Sequence, residues 1–247
     1  MGIEISMAPE PIFKIAGFAI TNSILTTLLV MLFLFVVSWL GTRRMSLVPE
    51  SRLQNLLEWV VEFLLNLSEN TAGRRVGRKV FPLIATLFIF ILAANWTGLL
   101  PGFGSIYVVE HNGAHVPLLR AATSDMNTTA AMALIAITVV QVVGFTINGT
   151  RNYLKEMTTP VFLTPIHLIG ELSHIISLTA RLFGNIFGGE VLMVVMYSLV
   201  PYFVPAIFLG LEAFFGFIQA LIFSVLTIVY ITLAAGHGAL ETEGHAA

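Results

Sequence analysis

Long apolar runs parted by short polar ones dominate this chain. A membrane-crossing helix needs about 20 mostly apolar residues, because the hydrocarbon core is about 30 Å thick. Five stretches meet that requirement: 20–40, 80–100, 128–147, 161–200 and 203–235. The second stops at Pro101-Gly102 and the third at Asn148-Gly149, while Pro201 and Pro205 part the last two. The first is no secretory signal: its apolar run is too long, only Lys14 precedes it, and no small-residue cleavage site follows. Segment 51–69 differs from all five. Gln54, Asn55, Glu58, Glu62, Asn66 and Glu69 recur mostly every fourth position, opposite Leu53, Leu56, Leu57, Val60, Leu64 and Leu67. That period predicts an amphipathic helix. It either lies on the membrane surface, with Trp59 at the interface, or packs against a neighbour.

The cations fix an orientation. Arg43, Arg44 and Arg52 follow the first span, Arg74, Arg75, Arg78 and Lys79 precede the second, and Arg151 and Lys155 follow the third. If 51–69 does not cross, all of these fall on one face, the cytoplasmic one. The other face receives Lys14 and Arg120. The prediction is an all-α polytopic membrane protein: one membrane domain over 1–247, crossed five times, with one amphipathic interfacial helix. Segment 1–19 lies outside and the tail 236–247 is cytoplasmic.

Stretch 161–200 would measure about 60 Å as a helix, twice the hydrocarbon thickness. It must tilt strongly or break. Gly184, Gly188 and Gly189 permit either a break or the close approach of another helix. Stretch 203–235 is overlong too, so 161–235 is predicted as a long, strongly tilted hairpin turning at Pro201–Pro205.

Composition agrees and removes the alternatives. Apolar residues are 57% of the chain and charged residues 11%, too few charges to cover a soluble protein of 247 residues. Mean hydropathy is +0.90. Disorder needs the opposite composition. A net charge of −2 without a basic stripe argues against nucleic-acid binding. The absence of cysteine excludes disulfides, thiolate catalysis and cysteine metal sites.

Ionisable groups inside a membrane are costly and point to function. The hairpin holds six, His167, Glu171, His174, Arg181, Glu190 and Glu212, with Asn185 and Gln219 as neutral polar groups. At 100° per residue, His167, His174, Arg181 and Gly188 form one slowly drifting stripe. Asn185 sits nearly above Arg181, and Glu190 falls on the opposite face. In the next helix Glu212, Gln219 and Tyr230 share a stripe. Because the two helices run antiparallel, Glu190 and Glu212 lie towards the outside, and His167 and His174 towards the cytoplasm. Two polar zones result, one opening to each side, with a single arginine between them. Arg181 is about 20 residues from both ends of its stretch, too deep to snorkel. Metal chelation is disfavoured, since His167 and His174 are two helical turns apart and no HExxH occurs. His111 and His115 flank Asn112-Gly113, which reads as a turn. No phosphate-binding glycine loop is present, and no cofactor is implied.

Ser177-Leu-Thr-Ala-Arg-Leu-Phe-Gly-Asn185 resembles the signature of the bacterial-type subunit a of F-type ATP synthases, the stator channel subunit of the membrane sector. Gln219-Ala-Leu-Ile-Phe-Ser-Val-Leu-Thr-Ile-Val-Tyr230 is similar to that family's final helix, and Asn95 with Leu99-Leu-Pro101-Gly to the end of its second span. The resemblance implies that Arg181 is the essential cation facing the rotor ring of c subunits. It implies that Asn185, Glu190, Glu212 and Gln219 line an outer half-channel, with a Glu190–Glu212 pair plausible. His167 stands where the cytoplasmic half-channel often has a glutamate. Glu171, one turn away, is the candidate to take that role, with His174 in the same zone. The implied partners are the c ring, the peripheral-stalk subunit b, the rest of the complex, lipid and protons. The chain itself would catalyse no bond change, and the implied location is the bacterial inner membrane. The alternatives are a stand-alone proton-coupled transporter and an intramembrane enzyme. Against the first stands the lack of an internal repeat or of matching broken helices. Against the second, Ser173 beside His174 is too generic a nucleophile–base pair.

Overall fold

Inside hydrocarbon the backbone has no water to bond, so an apolar segment must satisfy its own amides as a helix. The computed structural model shows this for each apolar stretch; it describes residues 11–15, 18–43, 52–100, 107–109, 115–149, 153, 164–200 and 203–243. The helices are α1 (Asn22–Thr42), α2 (Arg52–Thr97), α3 (Met126–Asn148), α4 (Thr164–Leu199) and α5 (Val204–Glu243). All five are long and apolar enough to cross a membrane. Arg44, Pro101, Gly102, His111, Asn112, Gly113, Arg151, Lys155 and Pro201 lie outside the described residues.

Local chemistry sets the helix ends. Thr21 caps α1 by accepting the Ile24 amide, and Asp125 caps α3 by accepting the Asn127 amide. Gly149 ends α3 at a φ of 74°, a left-handed conformation that glycine adopts without strain. Two short antiparallel hairpins accompany the helices: β1 (Pro11–Ile15) with β2 (Phe18–Thr21), and β3 (Tyr107–Val109) with β4 (His115–Pro117). The sequence pattern showed neither hairpin. They are too short for a clear two-residue alternation, and they lie outside the apolar runs or at their edge.

Residues 52–69 belong to the first arm of α2, which breaks at Gly73 (φ 75°, ψ 159°). The arm folds back on its successor. Ser68 Oγ donates to the Gly77 carbonyl at 2.9 Å, and Arg78 pairs with Glu69 at 2.5 Å. A Cβ at Gly77 would lie 2.6 Å from the Ser68 carbonyl oxygen, so only glycine allows this approach. Leu64 is fully buried, with Val60 and Leu67 packed beside it, whereas Leu56 and Trp59 are exposed.

Long-range hydrogen bonds show which helix ends lie together. Ser23 Oγ at the start of α1 donates to Asp125 at the start of α3, and Asn22 donates to the Pro117 carbonyl. Near the end of α2, Asn95 donates to the Gly216 carbonyl and Trp96 to that of Ala213, both in the first half of α5. At the other face, Asn148 at the end of α3 donates to the Ala234 carbonyl near the end of the apolar part of α5. The helices therefore alternate in direction. The core lies between the second arm of α2, α3 and α5, around Ile84, Ile91, Ala136, Phe223 and Ile231. α4 contributes Leu178 and Leu182 to it, and leaves its opposite face uncovered. α4 is unbroken from Thr164 to Leu199, so its glycines do not serve as a break.

Candidate functional site

The seven-residue spacing read from the sequence becomes a geometric fact on the unbroken α4. His167, Glu171 and His174 line one cavity of about 270 Å³, completed by Tyr153 and by Tyr230 of α5. The His174 and Tyr230 rings lie 4.1 Å apart, centre to centre. The Tyr153 hydroxyl donates to Gln141 at 2.8 Å, and its ring packs on Gly144, where a Cβ would lie 2.7 Å from it. This cavity sits at the end of the molecule where α3 and α5 finish.

A second cavity, of about 330 Å³, lies farther along the same helix. Asn185, Gly188 and Gly189 of α4 form one wall, and Phe208, Glu212 and Phe215 of α5 form the other. The Glu212 carboxylate lies against Gly189, where a Cβ would meet Oε1 at 2.5 Å. Here a glycine does permit close approach, but of a side chain rather than of a helix backbone. Among the described residues Glu212 has no hydrogen-bond or ion-pair partner. Gln219 is buried, seven residues beyond Glu212, and does not reach this cavity; its Nε2 is unpartnered among the described residues.

Arg181 stands between the two cavities, about 10 Å along the axis from His174 and about 6 Å from Asn185. It is exposed, and among the described residues its single hydrogen bond goes to Ser177, one turn back, at 3.3 Å. Among the described residues no carboxylate pairs with it. Gly184 and Gly188 lie close to it on α4, and a Cβ added at either would meet nothing. Apolar side chains share this face, among them Ile166, Val195 and Leu199, all exposed. The arrangement is a bare cation on an uncovered, apolar, glycine-notched surface.

Glu190 goes elsewhere. It faces away from Arg181, as the helical angle requires, and Arg120 forks it: Nη2 donates to Oε2 at 3.0 Å, and Nε to Oε2 and Oε1 at 3.2 and 3.3 Å. The structure thus joins Glu190 to Arg120 rather than to Glu212. Arg120 and Tyr153 were not read from the sequence as site residues. Arg120 had a signal, being one of only two cations on its face. Tyr153 had none, because it follows the third span outside the apolar runs.

The ATP synthase A chain family matches residues 24–232. The chain is 35% identical to ATP synthase subunit a of Moorella thermoacetica over 224 residues, which cover 90% of this chain and 94% of the relative. It is 38% identical to ATP synthase subunit a of Trichlorobacter lovleyi over 232 residues, covering 92% and 90%. The same protein of Legionella pneumophila is 34% identical over 233 residues, covering 94% of each chain. With its helices, its paired cavities and these relatives in agreement, the chain belongs to the ATP synthase A chain family, the family of subunit a.

Proposed function

We propose that the chain is the stator subunit that leads protons to and from the carboxylates of a rotating c ring through two offset half-channels. The observation that carries this reading is Arg181, exposed and without a carboxylate partner among the described residues, between two cavities that each hold an ionisable group. A rotor carboxylate in lipid prefers to be neutral, because desolvation disfavours its charge. A cation about 4 Å away, at an effective dielectric near 20, favours the ionised form by roughly 4 kcal/mol. That is about three decades in proton affinity. A rotor carboxylate approaching Arg181 therefore gives up its proton. Arginine cannot take that proton, so it also blocks a direct hop between the cavities.

Protons enter from outside through the zone of Asn185, Glu190, Glu212 and Gln219 and neutralise a rotor carboxylate. After nearly a full turn they leave through His167, Glu171 and His174 to the cytoplasm. The transmembrane potential drives this with about 2.3 kcal/mol per charge per 100 mV. The uncovered face of α4 with Gly184 and Gly188 receives the ring, and a strong tilt of α4 and α5 lays them along its curved surface. The peripheral-stalk subunit b and the remaining subunits of the complex are further partners. The setting is a bacterial inner membrane with the N-terminus outside, as the exposed Arg43, Arg52, Arg74, Arg75, Arg78 and Lys79 favour under the positive-inside rule.

The test is Arg181→Ala in membranes that carry the complete complex. ATP-driven pumping is expected to vanish while the complex still assembles and passive flux persists after the catalytic sector is stripped. Pumping near the parent rate would make Arg181 structural and end this reading.

A further inference from the structure

Between Asn127 and Asn148, α3 carries one amide side chain, Gln141. A polar group at that depth has no water to satisfy it and needs a partner from the protein. The Tyr153 hydroxyl supplies one, donating to Gln141 Oε1 at 2.8 Å. Gln141 Nε2 is buried without a partner among the described residues, so the amide group depends on Tyr153.

The next turn of α3 is shaped for the same ring. A Cβ at Gly144 would lie 2.7 Å from Tyr153 Cε2 and 2.9 Å from Cζ, so a glycine is what leaves room. Phe145 meets the ring edge-on, with 4.8 Å between centres and 65° between planes, an arrangement that aromatic pairs favour. Positions 141, 144 and 145 share one face of the helix. Amide, notch and ring edge thus form one seat. Gly149 sets the approach to it: its φ of 74° ends α3, and its carbonyl accepts the Tyr153 amide at 3.0 Å. Tyr153 is brought back onto the helix it follows, and is buried there.

The seated ring also lines the cavity of His167, Glu171 and His174, beside the buried Val140, one turn before Gly144 on α3. Along α4 these groups pass from exposed His167 to half-buried Glu171 and His174, so the cavity narrows towards the level of Arg181. The field of Arg181 depends on what fills that space. A change of effective dielectric from near 20 to that of water weakens a charge pair about fourfold. A bulky ring held at three points on α3 limits the water that can stand there.

We propose that Tyr153 is a positioning residue of the proton exit: seated on Gln141, Gly144 and Phe145, its ring admits water to His167, Glu171 and His174 but keeps bulk solution from spreading along α3 to the level of Arg181. The role in coupling rests on the half-channel reading above; the seat does not. The hydroxyl adds what a phenylalanine could not, a partner for Gln141.

The experiment uses vesicles that carry the complete complex, cytoplasmic face outward. The chain has no cysteine, so Val140→Cys is the unique thiol of the subunit. The probe is a cationic, membrane-impermeant methanethiosulfonate reagent. Labelling should be slow with Tyr153 in place and roughly tenfold faster or more with Tyr153→Ala added. Without the cysteine, Tyr153→Ala should lower the ratio of protons pumped to ATP hydrolysed by about twofold or more, as the field of Arg181 is screened. Gly144→Ala displaces the ring while Tyr153 itself is kept, and should move both readings the same way. Tyr153→Phe/Gln141→Leu keeps the ring and removes both polar partners together, and should leave both readings within about twofold of the parent. A merely structural tyrosine would lower pumping and hydrolysis together with the amount of assembled subunit, and parent values of labelling and ratio in Tyr153→Ala would overturn the proposal. Faster labelling with an unchanged ratio overturns it as well. Where Tyr153→Ala does not assemble, parent values in Gly144→Ala overturn it. Pumping by Arg181→Ala in the same vesicles tests the half-channel reading separately, while the labelling reports on the ring whatever that variant does.

Discussion

Arg181 and Arg120 carry the same charge in one membrane protein, and their partners separate their roles. Arg120 is forked onto Glu190, and among the described residues Arg181 bonds only the Ser177 hydroxyl. An unneutralised guanidinium keeps its full field for a charge that arrives from outside the chain. Arg181→Lys is therefore expected to lower ATP-driven pumping sharply while leaving assembly intact, because a lysine in that setting loses its proton more readily. Fluorescence-quench pumping assays on the intact complex would show it. Asn95 belongs to the same scale. It is buried, and its amide and carbonyl serve α5 and the 122–124 turn at once. Asn95→Ala leaves the Thr123 hydroxyl without its acceptor. It should cost about 1–3 kcal/mol, read as a lower midpoint for thermal dissociation of the subunit. Thr97→Ala, which removes only a bond to the Ala94 carbonyl within the same helix, should change little by comparison.

Helices meet through their small residues, and the glycines of this chain divide by what faces them. At Gly77 the obstacle to a Cβ is the backbone of Ser68 and Glu69, which cannot give way. Gly77→Ala should spread the two arms of α2 and reduce the amount of subunit recovered with the complex. At Gly189 the obstacle is the tip of the Glu212 side chain, which can rotate aside. Gly189→Ala should therefore assemble normally yet lower proton flux, by moving the carboxylate. Gly184 and Gly188 face open space within this chain, so alanine there leaves its own packing untouched. An effect on rotor docking, seen as loss of co-purifying c ring, would mark the face on which the ring sits.

At the scale of the whole molecule the two cavities are lined by different stretches of α4, 167–174 and 184–193, and the chain has no cysteine. Single cysteines at His167 and at Asn185 would thus be unique reporters. In vesicles of known orientation, a small membrane-impermeant thiol reagent should reach the first from the cytoplasmic side and the second from the outer side. Equal access of both from one side would contradict the offset half-channels. The sequence by itself determined the five spans and the stripe through His167, His174 and Arg181. Those features depend on hydropathy and helical period, which act over one or two turns. It also located the break before Gly149, where the backbone conformation is one that glycine tolerates. Only the tertiary structure decided that Glu190 meets Arg120, 70 residues away, that Asn95 holds Gly216, 121 residues away, and that Tyr153 lines the cavity of His167 and His174. It also decided that α2 folds back at Gly73 and that α4 runs unbroken with one face bare. A period gives the direction of a side chain around its own helix. Which neighbour lies in that direction is set by how the helices pack once the loops close.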